Sequence, residues 1–597
     1  MNKIKVGLAS CGIAAGAKQI QEYIQNEIKD KKLNIALEKT GCIGMCYNEP
    51  LVEVFSDSGQ WLYGNVTEEK AEKIIEHHAQ NDTPIKEWLV KAKDVETDDD
   101  SYFAKQLKIA SRNCGIIDPT KIDDYISTGG YESLKKAFKT PPQDIINEIM
   151  KSGIRGRGGG GFPTGVKWES AVIAAKKKGE KPIIVCNADE GDPGAFMDRN
   201  LMESDPHTVL EGLIIGAYAI GAEEGYIYIR REYPLALKRI ESAVKQAQEK
   251  GFLGQNILGS DFKLEIKIHR GAGAFVCGES TALMASMSGR AGEPKAKYVH
   301  NVEVGYREKP TVLNNVETFA NIPVILEKSA KWFAEIGSGD VSENPWGGSS
   351  GTKVFSLVGN LERTGLIEVP MGITLREIVY DIGGGIPKGR KFKAIQTGGP
   401  SGGCLPESHL DLEVDFDSLT KAGSMMGSGG MIVMDDKTCM VDVAKYFITF
   451  LKGESCGKCT PCREGLIVLD EILTRITKGK GKEGDIELMD NICETMKIAS
   501  LCELGKSASN PVLSTIKYFI DEYVAHIKDR KCPAGVCKEL IKYKVNDNCT
   551  GCTICAKNCP VDAISGKPKE MHFIDQEKCT KCDICNEVCN FDAITVE

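Results

Sequence analysis

The chain has no long hydrophobic run. No uninterrupted apolar stretch approaches the ~20 residues that a bilayer-spanning helix needs. The opening MNKIKVGLAS lacks the apolar core of a secretory leader. No basic patch carries interleaved aromatics, and the formal charge is −9, so a nucleic-acid partner is not expected. Histidine is scarce at 8 residues in 597, and only His526 stands in a suggestive context. These absences leave a chain expected in the cytoplasm, with no membrane insertion. Its length calls for several domains rather than one core.

Cysteine, by contrast, is plentiful. The 23 cysteines in so large a chain are spaced as metal ligands rather than as a disulfide scaffold. The tail carries Cys549-x2-Cys552-x2-Cys555-x3-Cys559-Pro560 and repeats it as Cys579-x2-Cys582-x2-Cys585-x3-Cys589-Asn590. In that cadence three thiolates hold one four-iron cluster and the fourth serves the neighbouring one. One set is therefore Cys549, Cys552, Cys555 and Cys589, and the other is Cys559, Cys579, Cys582 and Cys585. Cys456, Cys459 and Cys462 form another triplet inside ESCGKCTPCREG (454–465). Such arrays carry single electrons.

Patterning divides the chain into a multidomain α/β protein. Residues 1–85 read as strand (Lys3 to Leu8), helix (Lys18 to Asp30), two apolar strands and a closing helix (Glu68 to His78). Residues 86–105, with the acidic Asp94–Asp100, read as a linker. Residues 106–340 alternate strands such as Pro182–Asn187 with helices and glycine-rich turns, in βαβ fashion. Residues 341–430 read as a β-grasp-like insert and 431–525 as a helical bundle. A basic linker, 526–545, leads to the repeated tail at 546–597, expected to be a pseudo-twofold ferredoxin.

Within 106–340 the run SGIRGRGGGGFPTGVKW (152–168) follows an amphipathic helix and is not the dinucleotide-fold turn in its usual place. Contiguous glycines let backbone N–H groups approach a phosphate, and Arg157 and Lys167 add positive charge. Together with CNADEGDPGAFMDR (186–199), HRGAGAFVCGES (269–280), KPTVLNNVET (309–318) and the cysteine triplet, this run closely resembles the NADH-binding flavoprotein subunit of respiratory complex I. The N-terminal domain and ferredoxin tail resemble additions in the β subunit of NAD-linked, electron-bifurcating iron-only hydrogenases. NAD-dependent formate dehydrogenases carry related subunits.

The resemblance implies FMN at Gly156, Arg157, Gly158, Lys167, Asn187, Asp189, Glu190, Gly278, Leu313, Asn314, Asn315 and Thr318. It implies NADH near Phe162, Phe275, Asp192, Glu279 and Lys297. Ser280 stands where the family usually has a second glutamate, and Asp192 where a glutamate is common. No residue is expected to act as acid or base; hydride passes from NADH to FMN, and electrons then leave singly. Cys502 is the fourth ligand that the family places beside the triplet, with Cys493 the competitor.

Gly41-Cys42-x3-Cys46 matches half of a thioredoxin-like two-iron ferredoxin; the other half should be C-x4-C, but Cys11 is followed by Gly16. Cys11, Cys42 and Cys46 then await an unusual fourth ligand, or the domain has lost its cluster. Cys114, Cys186, Cys277 and Cys404 are expected to be core thiols. His526-x5-Cys532-x4-Cys537 suits a structural zinc completed by Cys439, with Cys493 or Cys404 as alternatives. The whole predicts an NAD(P)H-linked oxidoreductase subunit with three four-iron clusters, a two-iron cluster and zinc. NADH is expected over NADPH, because no arginine cluster for a 2′-phosphate is evident. Its expected setting is a bifurcating hydrogenase complex. The partners are ferredoxin, a small thioredoxin-like two-iron subunit and a catalytic hydrogenase subunit. The rivals are the same module in a formate or NADH dehydrogenase, and a non-enzymatic electron conduit.

Overall fold

The structure is a computed structural model that describes every residue except Met1, Asn81, Asp94, Lys297, Val299, Ser342 and Glu343. It resolves into two compact units, residues 1–433 with 501–504, and residues 434–500 with 505–597. Among the described residues no helix is long and apolar enough to cross a membrane.

The first unit opens with a five-stranded sheet of β1 (Lys3–Gly7), β2 (Ala36–Thr40), β3 (Val52–Ser56), β4 (Gly59–Tyr63) and β5 (Leu89–Ala92), in the order β2-β1-β3-β4-β5. β1 pairs β2 in parallel and β3 antiparallel. The helices Ala17–Asp30 and Glu68–Gln80 bury Ile20, Ile24, Ile74 and Ile75 against it. β5 corrects the linker expectation. Leu89 and Val90 are 8% and 6% exposed, so burial of that apolar pair draws residues 89–92 into the sheet edge. The acidic segment beyond it is also tied down, with Asp99 accepting from Tyr47 Oη at 2.6 Å and Asn48 Nδ2 at 3.0 Å.

The next layer is an all-parallel sheet of β6 (Ile183–Ala188), β7 (Glu224–Arg230), β8 (Glu265–Gly271) and β9 (Thr311–Asn315), ordered β8-β7-β6-β9. Parallel strands covered on both faces read as continuous apolar runs, and Ile183–Cys186 is fully buried. Two helices pack beside it. Pro206–Ile220 is capped by Asp205, whose side chain accepts from Thr208 N at 3.1 Å. Asn315 caps Val316–Lys328 by accepting from Glu317 N at 2.9 Å. A side chain at Gly212 would fall 1.9 Å from Phe319 O, so only glycine lets these two helices touch.

After a ribbon of β10 (Gly337–Gly339) and β11 (Gly348–Ser350), the insert forms a third sheet. It contains β12 (Thr352–Gly359), β13 (Gly365–Pro370), β14 (Phe392–Thr397), β15 (Gly403–Pro406) and β16 (Gly430–Asp435), ordered β13-β12-β16-β14-β15. Lys353 and Glu317, 0% and 1% exposed at their side chains, form an ion pair between the insert and the Val316–Lys328 helix.

The second unit is a bundle of helices Met440–Glu454, Thr460–Thr477, Asp485–Ala499 and Asn510–Val524, whose apolar stripes meet through Phe447, Leu451, Leu469, Leu473 and Met496. The tail follows as β17 (Tyr543–Val545), β18 (Ile564–Ser565), β19 (Phe573–Ile574) and β20 (Ile594–Val596), paired β17-β20 and β18-β19. Its repeat is visible in the backbone. Thr553 and Asp583 take φ of 66° and 67°, and Asp562 and Asp592 take 50° and 49°, at equivalent positions of the two halves.

Candidate functional site

The glycine run forms a closed loop between the helices Pro142–Lys151 and Thr164–Lys178. Gly156 N donates to Phe162 O at 2.9 Å, and Thr164 N to Ile154 O at 2.9 Å. The loop lies over the C-terminal end of β9. Arg157 N donates to Thr318 Oγ1 at 2.9 Å, and a side chain at Gly158 would lie 2.9 Å from Asn315 Cβ. Lys167 Nζ donates to Leu313 O at 2.9 Å. Burial holds the Lys167 ammonium down to about 8, so an anion beside it would restore its charge. The ends of parallel strands are where ligands of open α/β sheets gather.

Neighbouring loops complete the concavity. Asn187, on β6, donates from Nδ2 to Gly278 O at 3.1 Å. Asn314 accepts from Trp168 Nε1 at 2.9 Å, while its buried Nδ2 has no partner among the described residues. Buried polar atoms are rarely left so, and this one, with the glycine cradle, fits a polar planar ligand such as a flavin. Phe162 is 39% exposed on the loop and meets Trp346 edge-on, ring centres 5.0 Å apart. Phe275 packs where a side chain at Gly191 would fall, 2.9 Å from its ring.

Several of the expected cofactor-site side chains also have partners within the protein. The Arg157 guanidinium is fully buried and donates to Arg155 O at 3.0 Å and Ser350 O at 2.5 Å. It turns inward to these carbonyls. Glu190 accepts from Asp198 N and Arg199 N at 3.0 and 3.1 Å, capping the helix Met197–Ser204. Glu279 caps Ser280–Met287, accepting from Thr281 N and Ala282 N at 2.9 Å each. Ser280, in place of a second acid, donates to Glu279 at 3.1 Å. Asp189 faces Arg230 at 3.4 Å. Asp192 accepts from Ser428 Oγ, and burial pushes its carboxyl up to about 6. Lys297 lies outside the described residues.

The thiols fall into separate groups. Cys11, Cys42 and Cys46 have sulfurs within 4.8 Å of one another. Beside them lies Glu49, absent from the sequence expectation, with Oε1 3.6 Å from Cys11 Sγ. Nothing in its spacing announces it. In the tail one cavity is lined by Cys549, Cys552, Cys555 and Cys589, and another by Cys559, Cys579, Cys582 and Cys585. Backbone N–H groups point at these sulfurs, Ala563 to Cys559 at 3.2 Å and Ala593 to Cys589 at 3.4 Å.

Cys456 and Cys459 precede the helix Thr460–Thr477, and Cys462 lies buried in its first turn. Cys502 is buried in the segment Leu501–Leu504, which groups with the first unit. Cys493 is fully buried inside the helix Asp485–Ala499. Cys114, Cys186, Cys277 and Cys404 are all buried, and Cys404 donates to Gln396 Oε1 at 2.8 Å.

Cys439, His526, Cys532 and Cys537 converge, all buried, with ligand atoms within 4.8 Å of one another. His526 Nε2 stands 3.4 Å from both Cys439 Sγ and Cys537 Sγ, and those sulfurs are 3.7 Å apart. Two sulfurs on a tetrahedral zinc lie about 3.8 Å apart. His526 Nδ1 is 2.7 Å from Glu522 O, which fixes the ring with Nε2 toward the thiols.

Family models match along the chain: a thioredoxin-like [2Fe-2S] ferredoxin at 1–79, the Nuo51 FMN-binding domain at 149–324, and an SLBB domain at 354–405. The NADH-ubiquinone oxidoreductase-F iron-sulfur binding region matches 442–526, and a 4Fe-4S dicluster domain 543–596. The chain is 54% identical over 469 residues to the NADP-reducing hydrogenase subunit HndC of Solidesulfovibrio fructosivorans, covering 78% of this chain and 93% of that protein. It is 46% identical over 423 residues to an F-type NADH-quinone oxidoreductase subunit of Rhizobium meliloti, covering 71% and 98%. Among solved structures it resembles an NAD+-reducing [NiFe]-hydrogenase in the H2-reduced state, with TM-score 0.59, 27% identity and coverage of 88% of this chain and 84% of that one. With its flavin-type loop, insert and iron–sulfur domains, the chain belongs to the family of F-type NADH-quinone oxidoreductase subunits, the NADH-binding FMN and iron–sulfur subunits of complex I-like and hydrogenase modules.

Proposed function

We propose that this oxidoreductase subunit accepts hydride from NADH at an FMN seated over the end of β9 and delivers single electrons to iron–sulfur clusters in a hydrogenase assembly. The observation that carries the reading is the glycine loop closed against Leu313, Asn315 and Thr318, with Asn314 Nδ2 left unpartnered beneath it. Bound there, the flavin would join a two-electron donor to one-electron acceptors.

The chain's own part is to bind, orient and insulate. Backbone N–H groups of Gly156–Gly158 and the Lys167 ammonium would hold the flavin phosphate, as glycine-rich nests hold anions. Asn187, Asn314 and Asn315 would fix the ring edge, and Phe162 and Phe275 would stack the nucleotide. Glu190 and Glu279, committed to helix caps, hold the loops in shape rather than move protons. The eight tail thiolates would carry two four-iron clusters and the Cys456, Cys459 and Cys462 triplet would hold a third; the N-terminal thiols would carry a two-iron one.

Electron bifurcation between NAD(H) and ferredoxin is the finer part of this proposal. It is supported by the combination, in one chain, of an N-terminal thioredoxin-like domain and a dicluster tail with the flavin-type core. The partners proposed are a small thioredoxin-like two-iron subunit, a catalytic hydrogenase subunit and ferredoxin. A cytoplasmic setting belongs to the same proposal, supported by cysteines spaced as metal ligands rather than as a disulfide scaffold. A structural zinc at Cys439, His526, Cys532 and Cys537 belongs to the same proposal.

The test is FMN-reconstituted full chain with an artificial dye. NADH should reduce the dye, and more efficiently than NADPH. No dye reduction from either nucleotide overturns the enzyme reading.

A further inference from the structure

Two-iron clusters take four protein ligands, and the N-terminal domain brings only three thiols together. The inference that follows rests on the reading of that domain as a two-iron ferredoxin. Gly16 stands at the position where C-x4-C spacing would put the fourth thiol. It takes φ 101° at the start of the helix Ala17–Asp30, and a side chain there would face only Gln19 Oε1, at 3.8 Å.

Glu49 fills the gap. It follows Cys46 by three residues and is 7% exposed. Its Oε1 stands 3.6 Å from Cys11 Sγ, and its Oε2 accepts from Leu51 N at 3.0 Å. The backbone closes around it: a side chain at Gly12 would fall 2.5 Å from Gly7 O and 2.9 Å from Oε2. Among the described residues the carboxyl oxygens thus meet the thiols of Cys11 and Cys42 and the Leu51 N–H, and no cationic side chain. Buried carboxylates are paired, or they coordinate a metal. Oε1 adjoins the cysteine group through Cys11, and a carboxylate oxygen is a hard donor suited to ferric iron.

We infer that Glu49, through Oε1, is the fourth protein ligand of the N-terminal two-iron cluster, giving a three-thiolate, one-carboxylate site. Bond formation is a lone-pair donation from the carboxylate to iron, with no change of oxidation state. Replacing one soft sulfur by oxygen changes the ligand field at one iron only, so the reduced cluster should have a g-tensor distinct from that of an all-thiolate ferredoxin.

The experiment uses the anaerobically purified full chain, reduced with dithionite. EPR spins are counted at a temperature where four-iron signals have broadened away, with circular dichroism as a check on folding. Wild type should show a two-iron signal. Glu49→Ala should lose more than half of it, and Glu49→Cys should restore it with shifted g-values and a shifted midpoint potential. If wild type shows no two-iron signal, the cluster reading itself fails and this inference falls with it. If wild type shows the signal and Glu49→Ala keeps it at full intensity with unchanged g-values, the cluster stands and the carboxylate ligand is overturned. If Glu49→Cys fails to regain what Glu49→Ala lost, Glu49 acts through the fold, and the ligand assignment is likewise overturned.

Discussion

The backbone N–H of Cys42 donates to the Ser204 hydroxyl at 3.0 Å, so a thiol of the N-terminal domain is positioned by a helix of the flavin-type domain. That helix, Met197–Ser204, receives Asn315 Nδ2 at its other end through Asp198 Oδ2. At 1.5 Å per residue, the backbone from Asp198 to Ser204 spans roughly 9 Å. Ser10 adds two bonds to the next residue along, its N and Oγ donating to Glu203 at 2.8 and 2.6 Å. One short helix therefore joins the end of β9, proposed to hold flavin, to the thiols proposed to hold a two-iron cluster.

Gly41→Ala should break this docking. A side chain there would fall 2.3 Å from Ser204 Cβ and Oγ and 2.5 Å from its Cα, and overpacking a close contact costs about 1–3 kcal/mol. The thermal midpoint should drop and proteolytic cleavage between residues 93 and 100 should quicken. Unchanged cleavage would show that the contact contributes little.

Flavin affinity should depend on pH through Lys167. Its pKa in the flavin-free fold is held at about 8 by burial, below the ordinary 10.5. The folded state therefore prefers the neutral amine, and the flavin-free chain gains stability as pH rises from about 8 toward 10.5. Phosphate binding needs the charged form, so FMN affinity should fall above about pH 8, by up to about tenfold per unit. Lys167→Met should bind FMN more weakly at pH 7 and lose that slope. Titration by flavin fluorescence quenching checks both.

Breaking the buried Lys353–Glu317 pair from one side should be costly. Glu317 Oε1 also accepts from Val354 N at 2.9 Å, and Lys353 Nζ donates to Val354 O at 2.7 Å. Lys353→Met leaves the carboxylate uncompensated, a loss of about 3–5 kcal/mol. The double variant Lys353→Met/Glu317→Gln should recover part of that loss. Denaturation midpoints that are simply additive across the cycle would mean the two charges are not coupled.

Zinc should copurify at about one equivalent per chain, as a closed four-ligand site requires. Cys532→Ser should release it and lower the melting temperature of the helical unit. Less than about half an equivalent in the anaerobic wild-type protein, unchanged by Cys532→Ser, would sink the assignment.

What the sequence determined by itself is what short chain segments encode. Ligand cadence is local: Cys549, Cys552 and Cys555 must face one point whatever lies elsewhere, because two or three intervening residues allow little else. The strands 3–7 and 183–188 and the helices 17–30 and 68–80 were legible from apolar periodicity for the same reason. Long-range closure was decided by tertiary structure. The sequence offered Cys439, Cys493 and Cys404 to complete the His526, Cys532 and Cys537 set, and the fold brings Cys439 to His526 across 87 residues. Residues 89–92 read as linker until a sheet edge needed Leu89 and Val90. Only the fold shows that Glu190, Glu279 and Arg157 also bond helix ends and carbonyls, because burial forces each charged group to find partners inside the protein. Glu49 carries no motif at all. Only the folded backbone, with glycine at position 12 leaving it room, brings its carboxylate to Cys11.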